Sequence, residues 1–157
     1  MLGAMRKGDL AEDFELPDQQ GRPVRLSSLL SHGPVVLFFY PLALSGGCSQ
    51  EVAHFETQQA KFAALGAQLV GISRDSVERQ AEFAIDLAVS FPLLSDQEGE
   101  VTEAYGVRRR LLAKTLPVKR STFVIDGTGK IIDVISSETD MLTHADSALL
   151  TLEKLKD

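Results

Sequence analysis

A six-residue run, Val35–Tyr40 (VVLFFY), constrains the fold of this 157-residue chain more than any other segment. It is apolar without alternation and rich in β-branched and aromatic residues, which predicts a central strand covered on both faces. Such strands belong to sheets with helices on both sides. The longest apolar stretch, from Val35 to Leu44, is ten residues and contains Pro41. A membrane-spanning helix needs about twenty residues, so we expect no membrane partner.

Strands and helices alternate around this central strand. Further strands are predicted at 13–16, 23–26, 68–73, 91–94, 121–125 and 130–135. Helices are predicted over 45–65, 75–88, 100–105 and 143–155. This order predicts an α/β thioredoxin-like fold: a mixed central sheet flanked by helices, with an added N-terminal β-hairpin. No linker divides the chain, so residues 1–157 are expected to form one domain.

Side-chain patterns inside the helices predict their caps and buried faces. Asp75 is the predicted N-cap of the second long helix, and Glu78 completes a capping box. The apolar residues expected on the buried face of that helix are Val77, Ala81, Ala84 and Ala88. The residues expected on the buried face of the last helix are Ala148, Leu152 and Leu155.

Charge and cysteine content exclude several functions. The chain has 16 basic and 22 acidic residues, a net charge of −6, which argues against nucleic acid as a partner. A single cysteine excludes an intramolecular disulfide and any Cys-rich metal site. The three histidines show no metal-ligand spacing and are interpreted as surface residues: His32, His54 and His144. No metal or cofactor is predicted, and without a signal sequence the expected location is the cytoplasm.

A basic segment runs from Arg108 to Arg120. It holds six of the 16 basic residues, and the rest of the chain, with ten basic and 22 acidic residues, has a net charge of −12. We interpret the segment as a solvated loop. The alternative is a local positive field that attracts anionic reductants or peroxides.

Cys48 follows the central strand by about one helical turn. Ligands of open α/β sheets bind at the carboxyl ends of strands, and a helix N-terminus favours an anion, so a thiol there should lose its proton more readily. The alternative is a buried, inert cysteine.

The residues before Cys48 add a pattern, in the segment YPLALSGGCSQEVAHF. Pro41 can turn the chain and shield a pocket, Ser45 offers a hydroxyl, and Gly46 and Gly47 can present backbone N–H groups to a bound substrate. Taken singly, these residues can also be a strand terminator, a helix cap and a flexible turn.

The spacing from Pro41 through Ser45 to Cys48 resembles the peroxiredoxin active-site motif, Pro-x-x-x-Thr/Ser-x-x-Cys. The flanking segments KGDLAEDFELPDQQGRPVRLSSL, FPLLSDQEGEVTEAYGV and KRSTFVIDGTGKIIDVI are most similar to the bacterioferritin-comigratory, or Q-type, peroxiredoxins. The resemblance covers nearly the whole chain.

The resemblance implies a thiol-dependent peroxidase and a role for each matched residue. Cys48 would attack a hydroperoxide and become a sulfenic acid. Ser45 would hydrogen-bond the peroxide, and Pro41 would close the pocket. Arg120 would stabilise the thiolate and the departing oxygen. Glu51 matches a family glutamate that supports the site from behind; by itself it is a first-turn acid that suits the helix dipole.

The chain departs from the family at two positions. Ala53 stands where many Q-type members have a resolving cysteine, and Gly46 stands where many have proline. The implied cycle is therefore a one-cysteine mechanism. An external thiol completes it, and the candidate reductants are a thioredoxin, a glutaredoxin and a low-molecular-weight thiol. The chain is expected to be a monomer or a homodimer. A different interpretation is a peroxide sensor or redox-regulated binding protein without sustained turnover; disulfide exchange is disfavoured because a Cys-x-x-Cys pair is missing.

Overall fold

The strand predicted at Val35–Tyr40 is the middle strand of a five-stranded sheet. The computed structural model describes residues 5–108 and 118–156. Its strands are β1 (Glu15–Pro17), β2 (Pro23–Arg25), β3 (Val35–Phe39), β4 (Gln68–Ser73), β5 (Leu93–Ser95), β6 (Ser121–Ile125) and β7 (Ile131–Ser136). Its helices are α1 (Leu26–Leu30), α2 (Gly46–Thr57), α3 (Gln59–Ala64), α4 (Val77–Leu87), α5 (Glu100–Ala104) and α6 (Thr143–Lys156).

The central sheet has the order β5-β4-β3-β6-β7, and β1 and β2 form the separate N-terminal hairpin. Strand β3 pairs parallel with β4 and antiparallel with β6, so the sheet is mixed as predicted. Every residue of β3 is fully buried, because apolar side chains cover both of its faces. The strand predicted at 91–94 is β5, which lies at one edge of the sheet.

Helix α2 packs against the sheet through aromatic contacts. The ring of Phe55 stacks on that of Phe38 with centroids 4.1 Å apart, and both rings are fully buried. Burying such a side chain contributes about 1.5–3 kcal/mol. Val52 lies buried on the same face of α2. These contacts hold the start of α2 at the carboxyl end of β3.

The single helix predicted over 45–65 is wrong, because it is divided at Gln58. That residue leaves helical geometry (φ −98°, ψ 1°) and ends α2. Helix α2 packs against α4 and α6 whereas α3 packs against β4, so the two segments need different axes. Phe62 of α3 is fully buried. No glycine or proline marks the division.

The predicted capping box at Asp75 is also wrong. Ser76 is the N-cap of α4, and its hydroxyl accepts a hydrogen bond from the Arg79 N–H at 3.2 Å. The Asp75 carboxylate instead accepts from the backbone N–H of Ala43 at 2.8 Å. This long-range contact moves the helix start forward by one residue.

The buried faces of α4 and α6 agree with the predicted ones in part. Gln80 and Phe83 are the buried residues of α4, while Ala88 is exposed in a left-handed cap. In α6 Ala148 and Leu152 are buried as predicted, but Leu155 is 49% exposed.

Two further expectations are changed or left untested. The predicted second hairpin strand is shorter, since Leu26 begins α1. Most of the basic segment, residues 109–117, lies outside the described residues; at its edge Arg108 forms an ion pair with Glu103 at 3.6 Å. None of the helices in residues 5–108 and 118–156 has the length and apolar character needed to span a bilayer.

Candidate active site

Cys48 is the third residue of α2 and is fully buried. Its backbone N–H donates to the Ser45 Oγ at 3.4 Å, and the Ser45 hydroxyl donates to the Leu42 carbonyl at 2.8 Å. Ser45 is therefore the N-cap of α2, as one of its two interpretations predicted. The cap directs the first-turn N–H groups and the positive end of the helix dipole toward the thiol.

The loop that precedes Cys48 is held by α4. Ala43 donates its N–H to Asp75 Oδ2 at 2.8 Å and accepts at its carbonyl from Arg79 Nη2 at 3.1 Å. Leu44 has a positive φ of 67°, a conformation that costs a non-glycine residue on the order of 1–3 kcal/mol. The contacts that Asp75 and Arg79 make with Ala43 stabilise this strained turn. Sequence reasoning missed both residues, because nothing local links them to Ala43.

The side chain of Arg120 also contacts Cys48. Its Nη1 lies 3.3 Å from Cys48 Sγ and 2.6 Å from Glu51 Oε1. Arg120 directly precedes β6, and Ser121 of that strand pairs with Phe39 at the carboxyl end of β3. The antiparallel pairing thus brings a guanidinium to the helix that begins just beyond β3. The guanidinium can therefore donate to the sulfur of Cys48 and to the Glu51 carboxylate from one nitrogen.

Glu51 lies one turn after Cys48 and is fully buried. Burial raises the pKa of Glu51 to about 7, against the opposing influence of the Arg120 guanidinium. Its Oε1 accepts from Arg120, whereas Oε2 has no hydrogen-bond partner among the described residues. The carboxyl group therefore holds Arg120 and can exchange a proton near neutral pH.

The prediction that His144 lies on the surface is wrong. The residue is fully buried in α6, with Nε2 2.9 Å from the Ser137 carbonyl and Nδ1 2.7 Å from Thr122 Oγ1. Burial lowers the pKa of His144, and the hydrogen bond to Ser137 opposes this shift. The signal was present in the sequence: His144 lies one turn before Ala148, on the face that was predicted to be buried. His32 is exposed as predicted, whereas His54 is half-buried, with Nε2 2.8 Å from Asp146 Oδ1.

The two glycines before Cys48 have different surroundings. A Cβ atom on Gly47 would lie 3.4 Å from Arg120 Nη2 and 3.5 Å from Met141 Cε, so the missing side chain lets the guanidinium approach. A Cβ atom on Gly46 would meet nothing within 4 Å. Pro41 is buried just after the end of β3. A residue in this place can line the site from the side of the strand.

A surface cavity of about 510 Å³ lies away from the cysteine. Its lining includes Phe14, Leu16, Val101 and Tyr105, between the hairpin and α5. These apolar residues belong to the core on the other side of the sheet from Cys48. Cys48 therefore does not line this cavity. Across the described ranges, no three His, Cys, Asp or Glu side chains come together as metal ligands would.

Comparisons with known proteins identify a family and similar structures. Residues 7–134 match the AhpC/TSA family. The crystal structure of the peroxidoxin BcpB from Mycobacterium tuberculosis has 54% sequence identity and a TM-score of 0.92, covering 98% of this chain and 99% of that one. A chloroplastic peroxiredoxin Q from Sedum lineare is 39% identical over 156 residues, 99% of this chain and 82% of that protein. Peroxiredoxin Q from Xanthomonas campestris has 27% identity and a TM-score of 0.86, covering 97% and 99% of the two chains. The predicted thioredoxin-like fold is confirmed by these similarities.

Proposed function

This chain belongs to the AhpC/TSA family and is a peroxiredoxin, a thiol-dependent peroxidase, and we propose that Cys48 carries its reaction in a one-cysteine cycle. The substrates are hydrogen peroxide and organic hydroperoxides. The observation that carries the proposal is the 3.3 Å contact between Arg120 Nη1 and Cys48 Sγ at a capped helix N-terminus. That environment favours the anionic sulfur, which is the nucleophile.

The first step is attack of the Cys48 thiolate on the outer oxygen of the hydroperoxide. A sulfur–oxygen bond forms as the O–O bond breaks, so that sulfur loses two electrons and the peroxide gains them. The departing oxygen takes a proton and leaves as water or an alcohol, and Cys48 becomes a sulfenic acid. Arg120 stabilises the thiolate before the step and the negative charge on the departing oxygen during it.

The neighbouring residues orient the peroxide. The Ser45 hydroxyl donates to the Leu42 carbonyl in the free protein. It can turn to hydrogen-bond a peroxide oxygen instead, since the peroxide also lies at the start of α2. Gly46 and Gly47 offer backbone N–H groups that α2 leaves unpaired. Pro41 closes the strand side of the pocket. Glu51 supports Arg120 and does not touch the substrate.

Reduction of the sulfenic acid requires a thiol from outside the chain. The sequence contains one cysteine, so no intramolecular disulfide can form. One external thiol condenses with the sulfenic acid, releasing water and leaving a mixed disulfide; a second thiol then restores Cys48 and leaves as a disulfide. The reductant is a thioredoxin, a glutaredoxin or a low-molecular-weight thiol. Because Cys48 is fully buried, the first turn of α2 has to open before that thiol reaches the sulfur.

The domain organisation, oligomeric state and location are proposed as the sequence predicts them. Residues 1–157 act as one domain, as a monomer or a homodimer, in the cytoplasm, where cellular thiols keep a lone cysteine reduced. The second candidate function is a peroxide sensor, favoured by the same buried, unaccompanied cysteine. A sensor would form the sulfenic acid and stop, whereas an enzyme would turn over.

The test is oxidation of the purified protein with one equivalent of peroxide, followed by dimedone labelling and mass spectrometry, with Cys48→Ser as the control. We expect one added oxygen at Cys48, and steady-state peroxide consumption with one class of thiol in a reductant panel. Labelling without consumption by any reductant would favour the sensor. Peroxide that leaves Cys48 of the folded protein unmodified would refute both functions.

A further inference from the structure

Two side chains near the start of α4 hold the backbone of Ala43. Its N–H donates to Asp75 Oδ2 at 2.8 Å, and its carbonyl accepts from Arg79 Nη2 at 3.1 Å. Asp75 and Arg79 also contact each other, with Oδ1 and Nε 3.2 Å apart. Ala43 is fully buried, so these two side chains supply the partners that a buried N–H and C=O require.

The Asp75 carboxylate is itself held in place by a buried network. Ser73 Oγ accepts from the Gln80 amide at 2.9 Å and from the Asp75 N–H at 3.2 Å. The one proton of the Ser73 hydroxyl is therefore donated to Asp75 Oδ2, 2.7 Å away. Gln80 in turn donates to the Leu94 carbonyl at 2.7 Å. The carboxylate thus meets Ala43 in one fixed position.

Ala43 lies in a strained turn that leads into the helix of Cys48. The Ser45 N–H donates to the Leu42 carbonyl at 3.4 Å, which closes a β-turn over residues 42–45. Its central residues are Ala43 and Leu44, and Leu44 has a φ of 67°, which suits a glycine. Ser45 then caps α2 by accepting from the Cys48 N–H. Because the turn is strained, it opens more readily once Ala43 is released, and opening removes the cap.

We propose that Asp75 and Arg79 are positioning residues that hold the turn 42–45 closed, and that they thereby set how often the Cys48 sulfur becomes accessible to the reducing thiol. The inference rests on the proposed function, because the closed turn serves the peroxide step and the open turn serves the reduction. Both residues act through Ala43 and the Ser45 cap rather than through the sulfur.

The two steps of the cycle make opposite demands on this turn. Attack on the peroxide uses the capped helix start, where Arg120 Nη1 lies 3.3 Å from the sulfur. Formation of the mixed disulfide requires the fully buried sulfur of Cys48 to become exposed. Without Asp75, the closed turn leaves the buried Ala43 N–H unpaired, whereas in the open turn water pairs with it. Removing Asp75 therefore favours the open turn by about 5- to 150-fold, the equivalent of about 1–3 kcal/mol.

Three variants of the two residues and one control separate these contacts. Asp75→Ala removes the acceptor, and Asp75→Asn keeps an amide oxygen for the Ala43 N–H. Arg79→Ala removes the donor to the Ala43 carbonyl. Asp13→Ala is the matched control, because the Asp13 carboxylate also accepts a long-range backbone N–H, that of Ser27 at 2.9 Å. Asp13 lines the cavity on the other side of the sheet.

Opening, reduction and oxidation are measured separately. Opening is measured in the reduced protein by hydrogen exchange of the Ser49 N–H, which donates to the Ser45 carbonyl in the first turn of α2 at 2.9 Å. Amides of β3 report global unfolding in the same experiment. Reduction is measured by mixing the sulfenic acid of Cys48 with thionitrobenzoate as the probe thiol. Oxidation is measured by stopped-flow mixing with hydrogen peroxide.

We expect Asp75→Ala to raise the exchange of Ser49 and the thionitrobenzoate rate by about 5- to 150-fold, without raising the rate of peroxide oxidation. Asp75→Asn should stay closer to the wild type. Arg79→Ala should raise both rates by a smaller factor, and Asp13→Ala should leave both unchanged.

A folded Asp75→Ala protein that keeps the wild-type exchange at Ser49, or the wild-type thionitrobenzoate rate, would overturn the inference. An equal rise in Asp13→Ala would also overturn it, because the effect would then follow from lost global stability. If Asp75→Ala does not fold, Arg79→Ala decides the question, since the Arg79 side chain is 47% exposed and can be truncated. Wild-type exchange at Ser49 in that variant would overturn the inference.

Hydrogen exchange needs no peroxide, so it tests the two positioning residues independently of the reaction. A protein whose Cys48 does not react with peroxide refutes the proposed function, whatever the exchange of Ser49 shows.

Discussion

Arg120→Ala is the most informative single substitution, because one nitrogen of Arg120 contacts both Cys48 and Glu51. A hydrogen bond to a charged group contributes about 1.5–3 kcal/mol. If Arg120 makes such a hydrogen bond to the departing oxygen in the transition state and not before it, and about 1.4 kcal/mol corresponds to a factor of ten, its loss slows the oxidation of Cys48 by about 10- to 150-fold. The reaction is followed by stopped-flow mixing with excess peroxide.

The same substitution tests the cost of leaving Glu51 buried without a cation. Breaking a buried ion pair costs about 3–5 kcal/mol when the remaining charge persists. Glu51 can avoid part of this cost by binding a proton, since its pKa is already about 7 beside Arg120 and rises further without it. Urea denaturation should therefore show a smaller loss of stability in acidic than in alkaline buffer.

Two controls make the result interpretable. Arg25→Ala removes an exposed arginine, paired with Glu15 on the hairpin, and should leave the oxidation rate unchanged. The double variant Arg120→Ala with Glu51→Gln should recover stability in alkaline buffer without recovering the rate. A folded Arg120→Ala protein that reacts at the wild-type rate would refute the assignment of Arg120 to thiolate stabilisation.

Five further substitutions, at four positions, test neighbouring features. Ser45→Ala should slow the oxidation of Cys48 by about tenfold to a thousandfold and cost about 0.5–2 kcal/mol in urea denaturation through loss of the helix cap; Ser45→Thr should stay close to the wild type in both assays, and equal rates for the three proteins would reduce Ser45 to a cap. Burial raises the pKa of Glu51 from 4.5 to about 7, so the folded state binds this proton more tightly than the unfolded state. As pH rises through that interval, the wild type should lose stability relative to Glu51→Gln, by on the order of 3 kcal/mol in all; parallel curves of Tm against pH would contradict this. Gly46→Ala should stabilise α2 by up to about 1 kcal/mol, whereas Gly47→Ala should gain less and slow oxidation, because its Cβ would press on Arg120 Nη2; equal gains in urea denaturation would contradict the difference.

The amino-acid sequence alone determined the features whose signals are local. The unbroken apolar run at Val35–Tyr40 predicted a doubly covered strand, and β3 is that strand, one residue shorter. The segment 68–73 and the pair of strands before and after Gly129 were predicted with nearly their observed bounds. Ser45 was predicted as a helix cap in one of its two interpretations because it stands at the start of the predicted helix, and a cap needs only its own helix turn. Periodicity and capping extend over a few residues, so the sequence carries them directly.

Only the tertiary structure decided the partners of the buried polar groups. Arg120 is 72 residues from Cys48, and its role came from a family resemblance; the contact itself depends on the antiparallel pairing of β6 with β3. Asp75 was expected to cap a helix and instead holds Ala43, and His144 was expected on the surface and instead lies beside Glu51. A buried polar atom needs a partner wherever the crossing of strands and helices brings one. That partner is chosen by topology and desolvation, which no local pattern records.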